Sequence, residues 1–131
     1  MFDDLGVRPA YLVDYPIATS RESVAVLREI SGSDRAEIGA HLHPWVSPPH
    51  EEDVCTRHSF PGNLPGDLER RKLALLTETI ASSFGRRPVA YQAGRYGFGP
   101  RTAEWLEELG YQLDFSSSPP FDLSAEGGPD Y

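Results

Sequence analysis

The sequence predicts an α/β protein with about four parallel strands and helices packed outside them. Strand-like segments take turns with segments of helical spacing, in the order β-α-β-loop-α-β-α-β. Repeated βα units of this kind imply parallel strands. Hydrogen-bonding or metal-binding side chains fall at the ends of all four strand segments: Asp14, His41 with His43, Gln92 with Arg95, and Asp114. The carboxyl ends of parallel strands are where such folds build their sites.

The elements follow in order. Residues 7–13 (VRPAYLV) are β-rich and stop at Asp14-Tyr15-Pro16. Thr19-Ser20-Arg21-Glu22 has the form of a capping box, which predicts a helix start at Thr19. Val24, Leu27 and Ile30 continue at helical spacing, and Ser31-Gly32-Ser33 ends the helix, with glycine suited to a left-handed cap. Residues 36–43 (AEIGAHLH) alternate, so Ile38, Ala40 and Leu42 face one way and Glu37, Gly39, His41 and His43 the other. Residues 44–66, rich in Pro, Gly, His and acid, read as a long irregular loop, a kind that is usually functional or disordered. Residues 67–84 form the longest helix, with Leu68, Leu75, Leu76, Ile80 and Phe84 as its buried stripe and Gly85 as its stop. Residues 88–92 are a short strand, followed by the glycine-rich turn at 93–99. Pro100 suits the first position of a helix that buries Leu106 and Leu109 and closes at Gly110. Residues 111–116 are the last strand, with Tyr111, Leu113 and Phe115 on one face, and 117–131 form an irregular tail. Four strands make either an open sheet or a piece of an eight-stranded barrel, which takes about 250 residues.

Composition narrows the partners. Twelve basic against twenty acidic residues leave a net charge of −8 in 131 residues, which argues against a nucleic-acid backbone. No apolar run is long enough to span a bilayer. The opening Met1-Phe2-Asp3-Asp4 is acidic and lacks a signal-peptide layout, so a cytoplasmic location is the default expectation. Asp3 and Asp4 read as the end of a helix running into a turn. Cys55 is the one cysteine, which excludes an internal disulfide. With His50 and His58 it lies in the long loop at a spacing that fits no zinc signature, and a half-buried thiol is expected there. The glycine-rich GRYGFG lacks the spacing of a dinucleotide fingerprint.

His41-Leu42-His43 is the sharpest local feature. Two residues apart on a strand, both imidazoles project from one face at about 6.5–7 Å Cα spacing, near enough to share one cation, and neutral imidazole suits zinc. Taken alone, the pair reads more simply as surface or core histidines.

Three stretches together resemble the polysaccharide deacetylase (NodB-homology) family. Glu37-Ile38-Gly39-Ala40-His41 is similar to the motif that brings a metal-binding histidine. Residues 87–97 (RPVAYQAGRYG) are similar to the motif forming one wall of the groove. Leu109-Gly110-Tyr111-Gln112-Leu113-Asp114 resembles the entry to a further motif, and LGVRPAYLV the passage after the first. The resemblance covers most of residues 5–116. It implies a distorted (β/α) barrel, a divalent metal, usually zinc, and hydrolysis of acetyl groups on a sugar polymer.

On that resemblance His41 and His43 are the candidate metal ligands. Arg95 and Asp114 are the candidate catalytic groups, and Trp45, Gln92 and Tyr96 the candidate substrate contacts. Trp45 stands where the family's second metal histidine is usual, and Gln92 where its arginine is usual. The family's acidic pair and distal histidine have no counterpart here. The expectation is therefore one incomplete deacetylase-like domain over 1–131, with core 5–116, inactive alone and prone to self-association through open sheet edges. The alternative expectation is a carbohydrate-binding or structural remnant of the same fold.

Overall fold

The computed structural model describes residues 2–131; Met1, the first residue of the acidic opening, lies outside them. Strands β1 (Ala10–Val13), β2 (Glu37–Leu42), β3 (Ala90–Ala93) and β4 (Leu113–Asp114) form one sheet in the order β1-β2-β3-β4. Every pairing is parallel. Helices α1 (Tyr15–Thr19), α2 (Arg21–Ser31), α3 (Leu68–Phe84) and α4 (Thr102–Leu109) connect them. No helix among the described residues is long and apolar enough to cross a membrane.

Register sorts the side chains. Val13 pairs with Ala40 and Ala40 with Tyr91, and all three are buried in a core shared with Leu73, Leu76 and Ile80 of α3 and Trp105 and Leu106 of α4. His41 pairs with Gln92, one position along, so their side chains lie on the opposite face of the sheet. The alternation read from residues 36–43 is therefore the alternation in the sheet.

Several local details differ from expectation. A short helix, α1, precedes the predicted one. Asp14 caps it by accepting from the Ile17 N–H at 3.1 Å. Thr19 is thereby the last residue of α1, and its hydroxyl donates back to the Tyr15 carbonyl. The cap of α2 falls one residue later, on Ser20, whose oxygen accepts from the Ser23 N–H. After α2, Ser33 and Asp34 take the left-handed conformation expected of Gly32. The helix expected to start at Pro100 starts at Thr102, whose hydroxyl accepts from the Gly99 N–H. Strand β4 is only two residues long, shorter than the expected 111–116, and Leu113 and Phe115 are exposed at the sheet's edge.

The largest correction concerns α3. Leu75 is exposed, and the buried stripe instead includes Lys72, with a fully buried side chain. Lys72 lies four residues from both Leu68 and Leu76, so helical geometry gives it no route to solvent. Its ammonium donates to the carbonyls of Pro44, Ser47 and Pro49, at 3.1, 2.6 and 2.7 Å. It also pairs with Glu52 at 2.9 Å, and the Glu52 side chain is 3% exposed. The long loop after β2 is thus tied to α3 through one buried cation. Within the loop, 3-10 turns form at Pro44–Val46, Arg57–Ser59 and Pro61–Asn63. Its far end docks backbone to backbone on the glycine-rich turn: the Gly62 N–H donates to the Gly97 carbonyl at 2.9 Å, and a Cβ on Gly62 would fall 2.3 Å from the Gly99 Cα.

Removing one partner of a buried pair leaves an uncompensated charge, which costs about 3–5 kcal/mol. Lys72→Met is expected to lose about that much in urea denaturation, and more than Glu52→Gln, because the three carbonyls also lose their donor. A loss within about 0.5 kcal/mol, the range of ordinary surface substitutions, would show that the lysine does not hold the loop.

Candidate functional site

The carboxyl ends of β1 and β2 bring Asp14, His41 and His43 together, and β3 adds Gln92. The imidazole rings of His41 and His43 meet edge to face with centroids 4.3 Å apart. His41 Nδ1 lies 3.0 Å from the Gln92 carbonyl oxygen. A carbonyl only accepts, so Nδ1 carries the hydrogen and Nε2 keeps its lone pair. His43 Nδ1 lies 3.4 Å from Asp14 Oδ2, a longer contact in which the ring nitrogen donates to the carboxylate. Asp14 therefore has two tasks: Oδ1 caps α1 and Oδ2 orients His43.

Burial, and then the neighbouring His43, hold His41 below its ordinary pKa of 6.5, against the opposing pull of the Gln92 carbonyl and the Asp14 charge. His41 is accordingly neutral at pH 7. Two imidazoles, each with Nδ1 engaged and Nε2 left over, suit a metal centre, because second-partner hydrogen bonds of this kind fix a ligand's tautomer and direction. Among the described residues, however, no three His, Cys, Asp or Glu side chains are grouped as a metal-ligand set. The donors on this rim fit two positions of a zinc site, where three or four protein ligands are usual.

The turn after β3 packs directly under this pair. A Cβ on Gly94 would stand 2.4 Å from the Leu42 carbonyl oxygen and 2.6 Å from His43 Cδ2, so only glycine lets the turn approach the end of β2. Arg95 and Tyr96 follow in the left-handed region at φ 53° and 57°, a conformation that costs non-glycine residues energy and concentrates at functional sites.

The remaining candidates are placed as follows. Trp45 stacks on His43, with centroids 4.7 Å apart and planes 28° apart, and is 40% exposed. Gln92 contributes its backbone carbonyl to His41, while its side-chain amide donates to the Phe115 carbonyl at 3.2 Å. Arg95 turns towards the long loop: it donates to Ser59 Oγ at 2.7 Å, pairs with Glu126 and lies over the Phe60 ring. Tyr96 faces Phe121 of the tail with parallel rings 6.4 Å apart, and its carbonyl accepts from the Tyr131 hydroxyl. Asp114 pairs in register with Tyr91 and so falls on the sheet face opposite His41 and Gln92. Its carboxylate accepts from the Ser116 hydroxyl and N–H at 2.6 and 3.1 Å. The structure thus unites His41, His43, Gln92 and Trp45, leaves Arg95 and Tyr96 beside them on the turn, and sets Asp114 apart. Cys55, expected to be half-buried, is exposed.

Sequence reasoning missed Asp14 as the orienting partner of His43, and missed Glu52 altogether. It also missed Lys72, although the i, i+4 spacing to Leu68 and Leu76 was a usable signal. The fold and rim define a parallel α/β protein with an imidazole pair at the carboxyl ends of its strands. No family model and no curated protein matches the chain.

In an NMR titration His41 is expected to have a midpoint below 6.5, and His43→Asn is expected to move it upward by removing one lowering influence. Because the folded value lies below the unfolded one, the unfolded chain binds more protons in that window. Stability then falls as pH drops from 6.5 towards the folded midpoint. His41→Asn should remove that part of the pH dependence. A His41 midpoint at or above 6.5 would contradict the buried, neutral assignment.

Proposed function

We propose that these four strands are central strands of a (β/α) barrel-type domain of the polysaccharide deacetylase kind, and that His41 and His43 hold a divalent metal, zinc, on its rim. The observation that carries the reading is the imidazole pair at the carboxyl end of β2, each ring with Nδ1 engaged by a separate acceptor. Its position within the stretch that resembles the family's metal motif supports it. The open sheet supports the barrel: β1 and β4 each have one unpaired edge among the described residues. Helix α2 has no buried residue, and Val26, Leu113 and Phe115 face solvent.

When bound, such a metal supplies Lewis-acid polarisation of an acetyl carbonyl. The chain's own residues do the rest. His41 stays neutral and keeps Nε2 for coordination. Asp14 holds His43 in one tautomer, and the Gln92 carbonyl does the same for His41. Trp45 offers an indole face to a sugar ring, with Tyr96 on the neighbouring turn. Arg95 braces the loop that carries Trp45, and Asp114 braces the segment after β4 rather than touching substrate. The second reading, carbohydrate binding without turnover, is favoured by one observation: the described residues group only two imidazoles where hydrolysis needs a fuller ligand set.

Zinc titration separates the two readings. His41→Ala is expected to weaken zinc binding, and Asp14→Asn, which keeps the helix cap but removes the charge, to weaken it about tenfold. Unchanged zinc affinity in His41→Ala would sink the metal assignment. The 131-residue chain should release no acetate from acetylated chitooligosaccharides, and should self-associate in sedimentation through its open edges. An active, monomeric chain would overturn the reading of these strands as part of a larger barrel.

A further inference from the structure

Beyond β4 the chain is pinned at one residue and then only loosely docked. Ser116 is fully buried: its hydroxyl oxygen accepts from the Ala93 N–H at 2.8 Å, and its O–H donates to the Asp114 carboxylate at 2.6 Å. From 117 to 131 no residue is buried. That segment nonetheless closes on itself, as compact surface loops do. The Leu123 N–H donates to the Pro129 carbonyl, the Gly128 N–H to the Leu123 carbonyl, and the Tyr131 N–H to the Phe121 carbonyl.

This strap docks on the glycine-rich turn and on the long loop. Glu126 pairs with Arg95 Nη2. Phe121 faces the Tyr96 ring, and the Tyr131 hydroxyl donates to the Tyr96 carbonyl. The Gly127 carbonyl accepts from Asn63 Nδ2 at 2.6 Å. Gly128 lies against the buried Phe60 ring, where a Cβ would stand 2.5 Å from Cε1. Arg95 and Tyr96, both in the left-handed region, are thus both engaged by the strap. Strained residues persist where the surrounding contacts over-determine them.

The docking contacts are shallow. The side chains of Arg95 and Glu126 are 31% and 51% exposed, and Phe121 is 57% exposed. A segment with so little buried surface opens at low free energy while the rest of the fold stays intact. Opening leaves the Arg95 guanidinium in place, because Nη1 still donates to Ser59 Oγ at 2.7 Å and the group still lies over the Phe60 ring. Nη2 is the group that loses its acceptor. Arg95 also lines a cavity of about 280 Å³ with Trp45, Thr56 and His58. A fixed guanidinium with free donors beside a cavity suits a carboxylate, and in the closed strap that carboxylate is Glu126.

We propose that residues 117–131 are an autoinhibitory strap: Glu126 fills a carboxylate seat on Arg95, and a carboxylate-bearing ligand binds there by displacing it. The same opening uncovers the Tyr96 ring on the turn beside the imidazole pair. The inference uses neither the metal nor the sugar reading.

Chymotrypsin cleavage after Phe121, followed by mass spectrometry on the full 131-residue chain, measures the opening. It tracks the open population when opening and closing outrun cleavage. An exposed ion pair is a small latch, so Glu126→Gln is expected to speed cleavage about two- to fivefold. In 1 M salt, where screening acts over about 3 Å, most of that difference should vanish. Gly128→Ala should speed cleavage as well, by collision with Phe60, without touching the Arg95 charge pair. Malonate, a small dicarboxylate, should speed cleavage of the unsubstituted chain and have less effect on Glu126→Gln, and neutral malonamide should change neither. In NMR titrations malonate should shift the Arg95 Nε–H resonance at about two- to fivefold lower concentration in Glu126→Gln than in the unsubstituted chain. Cleavage at the unsubstituted rate in both variants would overturn the strap. Malonate that neither speeds cleavage nor shifts the Arg95 resonance would overturn the seat.

Discussion

One buried ammonium group organises the loop beside the imidazole pair. Lys72 sits on the core stripe of α3 and gathers three backbone carbonyls and one carboxylate from residues 44–52. Those carbonyls belong to a proline-rich segment outside the sheet, where the Pro44 carbonyl also accepts from the Ser47 N–H of a 3-10 turn. In exchange, the lysine fixes the path of the chain just after His43. Trp45 lies between two of its anchoring points, Pro44 and Ser47, so the stacking of Trp45 on His43 depends on it. A buried ion pair is weak evidence for stability in itself. Its effect here is to give an irregular loop one conformation.

A second constraint acts from the other side. The turn after β3 reaches the end of β2 only because position 94 lacks a side chain. The two residues after it carry left-handed backbone conformations. Further along, Gly62 and Gly99 bring the long loop and this turn into backbone contact. The imidazole pair is therefore held between a loop anchored on α3 and a turn anchored on β2, with Asp14 and the Gln92 carbonyl fixing both rings. Rigid support of this kind is what a metal or sugar site requires. The low pKa of His41 follows from the same packing, because burial is its largest cause.

The sheet was legible in the sequence because β-rich or alternating segments take turns with segments of helical spacing. Ile38, Ala40 and Leu42 against His41 and His43 is the plainest case, and it placed both imidazoles on one face. Alternation within a strand leaves the register between strands open: β4 pairs Asp114 with Tyr91, not with Gln92, and one residue of offset moves a side chain to the opposite face. A left-handed turn directs the Arg95 side chain towards the loop, which periodicity does not reveal. Lys72 was hidden by its charge. A lysine reads as solvent-facing unless its i, i+4 neighbours are weighed, and its partners are backbone carbonyls that carry no sequence signature. Glu52 lay among other acids of a loop whose path depends on that lysine.

In the proposed centre His41 and His43 are the metal-binding part of the rim. X-ray absorption on the zinc-loaded chain is the decisive measurement. Imidazole nitrogen scattering from two histidines is expected at about 2.0–2.1 Å, lost in His41→Ala. A zinc shell dominated by sulfur at about 2.3 Å, from Cys55, or by oxygen alone, and unchanged in His41→Ala, would contradict it.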